Sequence, residues 1–97
     1  MSYAIVIVFE GVTEADYWTV NANMGINRDG SGDWPEGIRS HAAGPTPNGW
    51  IVIEKWESKQ AQEAFMAGRL GAALSAAGVP APSQVIETDT VNDHHIN

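Results

Sequence analysis

The sequence predicts an α+β fold in which two helices cover one face of a four-stranded antiparallel sheet. Apolar periodicity and turn residues give the element order β-α-β-β-α-β along the 97 residues. The two middle strands are separated only by the turn sequence Thr-Pro-Asn-Gly at 46–49. Large apolar residues occupy both faces of the first and third strands, so both faces need a cover. This order is that of a split βαβ, or ferredoxin-like, sheet.

The first strand and the first helix lie near the start of the chain. Residues Tyr3–Phe9 are β-branched or aromatic except for one alanine, which is typical of a strand. Thr13 and Asp16 have the spacing of a capping box at a helix start, and Gly25 is typical of a helix end. The residues spaced to form the buried stripe of this helix are Tyr17, Val20 and Met24.

A loop and a hairpin occupy the middle of the chain. Residues 26–36 are rich in glycine, aspartate and asparagine, which predicts a loop. Strands are predicted over Gly37–Pro45 and Trp50–Glu57, with Asn48-Gly49 as the hairpin signal between them. Alternation along the third strand places Trp50, Val52, Glu54 and Trp56 on one face and Ile51, Ile53 and Lys55 on the other.

The second helix and the fourth strand complete the order. Ser58 has a side chain suited to capping a helix, which is predicted over residues 59–78. Gly78 and Pro80 are typical of its end. Residues 82–91 predict the fourth strand. The buried stripe predicted for this helix consists of Met66, Leu70, Ala73, Leu74 and Ala77.

Composition limits the domain organisation and the partners. Residues 1–97 are expected to form a single domain, since neither a linker nor a low-complexity run divides them. Five basic residues among twelve acidic ones give a net charge of −7, which argues against nucleic acid and anionic membrane surfaces as partners. The chain has no cysteine, which fits a cytoplasmic protein and excludes disulfides and cysteine metal sites.

The helices of such a fold leave one face of the sheet uncovered. That face carries apolar residues on the first and third strands, and an open apolar surface of this size usually marks an interface. A second copy packed sheet against sheet is the economical cover, because most oligomers are symmetric dimers. The sequence therefore predicts a homodimer.

One stretch of the sequence resembles a known superfamily. The motif Glu54-x-Trp56-x-Ser58, with Glu63–Phe65 in the helix that follows, resembles the dimeric α/β-barrel superfamily. That group includes antibiotic-biosynthesis monooxygenase-like domains and stress-responsive α/β-barrel domains. The resemblance covers nearly the whole chain. It implies a ferredoxin-like unit that dimerises through its open sheet face into an α/β barrel.

The resemblance also bears on cofactors and site residues. Relatives that degrade haem use an Asn on the first strand and a His on the second helix, and this chain has neither. No haem or other cofactor is therefore expected. Relatives that oxygenate aromatic polyketides without a cofactor involve an Asn, a Trp and a Tyr. Trp56 matches the Trp position, and Asn21 and Tyr17 are candidates by residue type.

His41 is the candidate catalytic residue, because a neutral imidazole accepts a proton near pH 7. Trp34, in the loop before the second strand, is placed to line the mouth of a pocket, so the predicted ligand-binding residues are Tyr17, Asn21, Trp34 and Trp56. In the alternative interpretation, His41 is a hydrogen-bonded residue of the sheet or of the dimer seam. Glu54 is expected to pair with Arg39 across the hairpin.

No metal site is predicted. The acidic loop carries Asp29, Ser31 and Asp33 at the spacing of a calcium loop, but Trp34 stands where that loop needs glycine. His94 and His95 near the end of the chain are expected to be solvated.

Three functions stay open on the sequence. One is a cofactor-independent monooxygenase acting on an aromatic or polyketide-like substrate. Another is a dimer that binds a small apolar or aromatic molecule without catalysis. The third is a non-catalytic, stress-associated structural dimer. The tryptophans and His41 favour a small-molecule-binding barrel with monooxygenase-like activity.

Overall fold

The computed structural model describes residues 2–96, and its elements follow the predicted order. The strands pair in the order β2-β3-β1-β4, and every neighbouring pair is antiparallel. The α+β, ferredoxin-like βαββαβ fold is therefore confirmed. The elements are β1 Tyr3–Glu10, α1 Glu14–Asn23, β2 Ile38–Thr46, β3 Gly49–Trp56, α2 Lys59–Phe65, a π-helical segment Met66–Leu70, α3 Gly71–Ala77 and β4 Gln84–Asp89.

The core lies between the helices and the inner face of the sheet. Alternate residues of β1 and β3 point into it, as the period of two along a strand requires. Trp56 is the largest fully buried side chain and packs against Phe65 of α2. Burial of side chains of this size stabilises the fold by about 1.5–3 kcal/mol each. The sheet residues of this core are Tyr3, Ile5, Ile7, Phe9, Trp50, Val52 and Trp56.

The start of α1 is fixed by the predicted capping box. The Asp16 backbone N–H donates to the Thr13 hydroxyl at 3.2 Å, and the Thr13 backbone N–H donates to the Asp16 carboxylate at 3.0 Å. Both bonds satisfy donors that the helix cannot pair internally. The capped first turn holds Tyr17, which directly follows the box, against the sheet.

The second helix departs from the prediction in one respect. It was expected to be uniform, but the π-helical segment Met66–Leu70 separates α2 from α3. Arg69 of this segment donates to the backbone carbonyls of Met24 at 2.8 Å and Asp33 at 2.6 Å. The loop between α1 and β2 is therefore tied to the helix at its first residue, Met24, and again at Asp33. No helix within residues 2–96 is long and apolar enough to span a bilayer.

The register of the β2–β3 hairpin decides which residues face the core. The turn pairs Thr46 with Gly49, and counting back along both strands places His41 opposite Glu54. The register shifts between Ile38 and Ser40, so Arg39 lies in an irregularity and is exposed. The expected pairing of Glu54 with Arg39 is therefore wrong, because the partner of Glu54 is His41.

The outer face of the sheet is open and largely apolar. Val6 of β1 pairs with Ile53 on one side and Ile86 on the other, and these isoleucines are 49% and 55% exposed. Ala42 of β2 extends the row beyond Ile53. All residues of the edge strand β4 are exposed. The row is an uncovered apolar surface of the kind that marks an interface.

Candidate functional site

A small cavity lies between α1, the inner face of the sheet and the loop that precedes β2. Its volume is about 50 Å³, and most of its wall is apolar. Phe9 and Val52 of the sheet and Leu74 of α3 are among the apolar wall residues. The side chains of the wall that carry a polar atom are Tyr17, Asn21, Trp34, His41, Trp50 and Glu54. An apolar wall with a few placed polar groups is typical of a small-molecule site.

A chain of hydrogen bonds runs from this cavity into the core. The Tyr17 hydroxyl lies 2.5 Å from Nε2 of His41. Nδ1 of His41 lies 2.8 Å from Oε2 of Glu54. The other carboxylate oxygen of Glu54 accepts a bond from Nε1 of Trp56 at 3.1 Å. The four side chains come from α1, β2 and β3, so the fold and not local sequence brings them together.

The chemistry of the partners assigns the proton positions in this chain. An ionised carboxylate only accepts hydrogen bonds, so Nδ1 of His41 is protonated and its N–H donates to Glu54. In the neutral ring Nε2 is then bare and accepts a hydrogen bond from the Tyr17 hydroxyl. Glu54 is only 7% exposed, and the two donors on its oxygens stabilise its buried charge.

Tyr17 is held in its neutral form at the cavity wall. Burial raises the pKa of the Tyr17 hydroxyl above its ordinary value of about 10, and the Glu54 charge raises it further. The Asn21 side chain acts in the opposite direction, with a smaller effect than burial. Tyr17 is therefore a phenol that donates to His41, not a phenolate.

Trp34 separates the cavity from an outer groove. Its indole N–H donates to the Gly30 carbonyl at 2.8 Å, and its ring centroid lies 5.2 Å from that of His41. Trp34, Ile38 and His41 border the cavity on one side and a groove of about 430 Å³ on the other. Pro35, which follows Trp34, is buried. The Trp34 side chain thus stands between solvent and the inner cavity.

The structure brings four of the five predicted site residues together. His41, Tyr17, Asn21 and Trp34 all border the cavity. Trp56 does not border it, because its side chain is fully buried under α2, where it packs against Phe65. The indole N–H of Trp56 donates a hydrogen bond to Glu54. The Trp56 side chain is therefore not in a position to contact a ligand in the cavity.

Two residues of the site were not assigned to it from the sequence. Glu54 was expected to face Arg39, but the hairpin turn lies at Pro47-Asn48, which pairs Thr46 with Gly49 and places Glu54 opposite His41. Trp50 was not among the predicted ligand-binding residues, and it borders the cavity beside Tyr17 at a centroid distance of 5.2 Å. Within residues 2–96, no group of three or more His, Asp or Glu side chains is arranged to hold a metal ion.

The buried tyrosines make stability depend on alkaline pH. Burial, reinforced by a hydrogen bond to Glu87, raises the pKa of the Tyr3 hydroxyl well above its ordinary value, and the pKa of Tyr17 is raised as well. Above about pH 10 the unfolded chain loses protons that the folded chain keeps, so stability falls as pH rises. The free energy of unfolding is expected to fall with pH at a slope that approaches about 1.4 kcal/mol per pH unit for each tyrosine.

Urea unfolding between neutral pH and about pH 11 measures this slope. Tyr3→Phe should make it shallower, while substitution of an exposed residue such as Ser75→Ala should leave it unchanged. A free energy of unfolding that stays constant above pH 10 would contradict the assignment.

Comparison with known proteins supports the fold. Neither the comparison with family models nor that with curated proteins finds a match. Among solved structures, one from Chloroflexus aurantiacus, assigned as an antibiotic biosynthesis monooxygenase, is 19% identical with a TM-score of 0.62 and full coverage of both chains. Rv0793 from Mycobacterium tuberculosis is 14% identical with a TM-score of 0.66, over 98% of this chain and 100% of its own. The fold is therefore that of antibiotic biosynthesis monooxygenase-like structures.

Proposed function

We propose that the chain binds a small aromatic or polyketide-like molecule and acts on it as a cofactor-independent monooxygenase. The observation that carries this proposal is the hydrogen-bonded chain of Tyr17, His41 and Glu54, which opens on an apolar cavity. A base that is oriented by a buried carboxylate and exposed to a dry cavity is the arrangement that proton abstraction requires.

The proton moves in two linked steps. The substrate C–H gives its proton to the Tyr17 oxygen while Tyr17 gives its own hydroxyl proton to Nε2 of His41. Tyr17 is a phenol before and after the transfer. His41 becomes an imidazolium, and the Glu54 carboxylate on Nδ1 compensates its charge. The substrate is left as a carbanion with no net change in the charge of the site and substrate together.

Dioxygen is the oxidant in the following reaction. The substrate carbanion supplies the electrons, and dioxygen adds to the same carbon. One oxygen atom stays there as a carbonyl group and the other leaves as water. The water takes one proton back from the His41 imidazolium and the second from the same carbon, so a methylene group and dioxygen give a ketone and water and the site is restored. The protein supplies a base, shape and exclusion of water, since the substrate itself activates the oxygen.

The closed cavity is too small for such a substrate. It measures about 50 Å³, whereas a cavity of about 150 Å³ is needed for benzene. The outer groove of about 430 Å³ falls in the range of ligand sites, and only the Trp34 loop separates the two spaces. Entry therefore requires the Trp34 side chain to move away from His41 while Arg69 holds the backbone at Met24 and Asp33.

The proposed assembly is a homodimer that buries the outer face of the sheet. The row of Ala42, Ile53, Val6 and Ile86 crosses all four strands and is uncovered in the single chain. A copy of the same face supplies a complementary apolar surface.

A second candidate function is that of a non-catalytic, stress-associated structural dimer. The observation in its favour is the small volume of the closed cavity. This second function predicts that the protein binds no planar molecule and that the Trp34 side chain stays beside His41.

Proton exchange at an acidic C–H group tests the proposal. A suitable probe is 2-tetralone, which has a methylene group between an aromatic ring and a carbonyl group. In D₂O without oxygen, the protein is expected to accelerate exchange of these protons over buffer, and in air it should consume oxygen with the same probe. His94→Ala removes an exposed histidine and serves as a control. No acceleration by the wild-type protein would favour the structural dimer.

A further inference from the structure

Trp50 carries a buried hydrogen-bond donor that has no partner. The residue is 6% exposed, and Nε1 of its indole ring is buried without an acceptor. Almost all buried polar groups in native proteins are paired, and an unpaired one destabilises the fold. A site that keeps one therefore needs an explanation.

The other tryptophans differ from Trp50 in this respect. Trp18 donates to Glu14 at 2.9 Å, Trp34 to the Gly30 carbonyl, and Trp56 to Glu54. Within residues 2–96, the other buried side-chain donor without a partner is Nε2 of Gln62, and Gln62 does not border the cavity. Of the two residues with an unpaired donor, Trp50 is thus the one that borders the cavity.

The position of Trp50 relates this donor to the proposed base. Its ring packs against Tyr17 at a centroid distance of 5.2 Å, and the Tyr17 hydroxyl is bonded to His41. Both rings border the same cavity. A planar molecule that enters this space when Trp34 moves away therefore contacts the proton-accepting group and the indole ring together.

We propose that the indole N–H of Trp50 binds an oxygen atom of the substrate, which makes the substrate a ketone with an acidic C–H between its carbonyl group and an aromatic ring. This inference rests on the proposed function. When the C–H proton moves to the Tyr17 oxygen and the Tyr17 proton to His41, the C–H electron pair forms a C=C bond and the carbonyl π pair moves to oxygen. The resulting enolate oxygen accepts the Trp50 N–H.

The electrostatics of the site favour this division of roles. Glu54 places its negative charge on the far side of His41, so a second anion in the cavity needs a donor of its own. A neutral N–H in a dry cavity binds an enolate more strongly than a carbonyl, because the bond becomes charge-assisted. Trp50 thus stabilises the product of proton abstraction more than the substrate.

The indole proton of Trp50 reports the contact directly. In proton NMR spectra, 2-tetralone is expected to move this signal downfield, whereas tetralin, the hydrocarbon without the carbonyl group, should not. Trp50→Phe identifies the signal by its loss, and Trp18→Phe, which removes a paired indole, is the control. Nuclear Overhauser contacts to Tyr17 restrict the assignment to Trp18 and Trp50, and the two variants distinguish these residues.

Kinetics test the stabilisation of the enolate. Trp50→Phe should weaken binding of 2-tetralone about two- to tenfold and leave tetralin unchanged. It should slow exchange of the ketone protons by about 10²-fold, as expected for a lost donor to a developing oxyanion.

The outcomes separate this inference from the proposed function. If exchange depends on His41 but the Trp50 signal does not move with 2-tetralone, the inference fails and the proposed function stands. If the wild-type protein neither binds 2-tetralone nor exchanges its protons, both fail.

Discussion

His41→Ala is expected to lower the rate of proton exchange at 2-tetralone by about 10²–10⁴-fold, the contribution typical of a general base. The variant removes the acceptor of the Tyr17 proton, so Tyr17 can no longer pass on the proton that it receives. The buried carboxylate of Glu54 then keeps only the Trp56 donor. Exchange is measured by NMR in D₂O at equal concentrations of folded protein.

Two comparisons make this result specific. His94→Ala removes a histidine from the exposed tail and should exchange at the wild-type rate. Tyr17→Phe removes the hydroxyl group that receives the substrate proton but keeps the ring. It should lower the exchange rate by a factor similar to that of His41→Ala. Exchange by His41→Ala at the wild-type rate would show that His41 is a structural residue of the sheet.

Ile53→Glu is expected to convert the proposed dimer to a monomer. Ile53 lies in the middle of the outer apolar row, between Ala42 and Val6, and is 49% exposed in the single chain. In a symmetric dimer each interface would hold two of the introduced carboxylates, and burying an unpaired charge costs several kcal/mol. Ser75→Glu places the same charge on the exposed surface of α3 and should remain dimeric.

Sedimentation at micromolar concentration measures this effect. The wild-type protein is expected to sediment at twice the chain mass of 10.4 kDa, and Ile53→Glu at the mass of one chain. A wild-type protein that sediments as a single chain would contradict the proposed assembly.

Local rules explain why the elements could be predicted. The capping box of Thr13 and Asp16 and the Ser58 cap act within a few residues of chain, and the structure has both. The hairpin forms where it was predicted to within one residue, since its turn lies at Pro47-Asn48 and Gly49 begins β3. The buried faces of β1 and β3 follow directly from alternation.

The features that depend on distant contacts were not predicted. The π-helical segment at Met66–Leu70 has no signature in apolar periodicity, yet it carries the Arg69 side chain that ties down the loop before β2. The irregularity at Arg39 exposes a residue that alternation had placed beside Glu54.

The candidate site was predicted by residue type more than by geometry. His41, Tyr17 and Trp34 were chosen as a titratable group with aromatic neighbours, and the fold places them around one cavity. The register that pairs His41 with Glu54 follows from a turn at Pro47-Asn48, one residue earlier than predicted, and the unpaired indole N–H of Trp50 depends on packing between residues distant in sequence. A missing hydrogen bond has no signature in a sequence.

The protonation of the His41 ring is the most direct test of the proposed base. Long-range ¹H–¹⁵N correlation spectra distinguish a protonated ring nitrogen from a bare one. The hydrogen bond to Glu54 predicts that the neutral ring carries its proton on Nδ1 and leaves Nε2 bare toward Tyr17. A neutral ring protonated on Nε2 would mean that His41 cannot accept the Tyr17 proton, and the proposed proton transfer would be wrong.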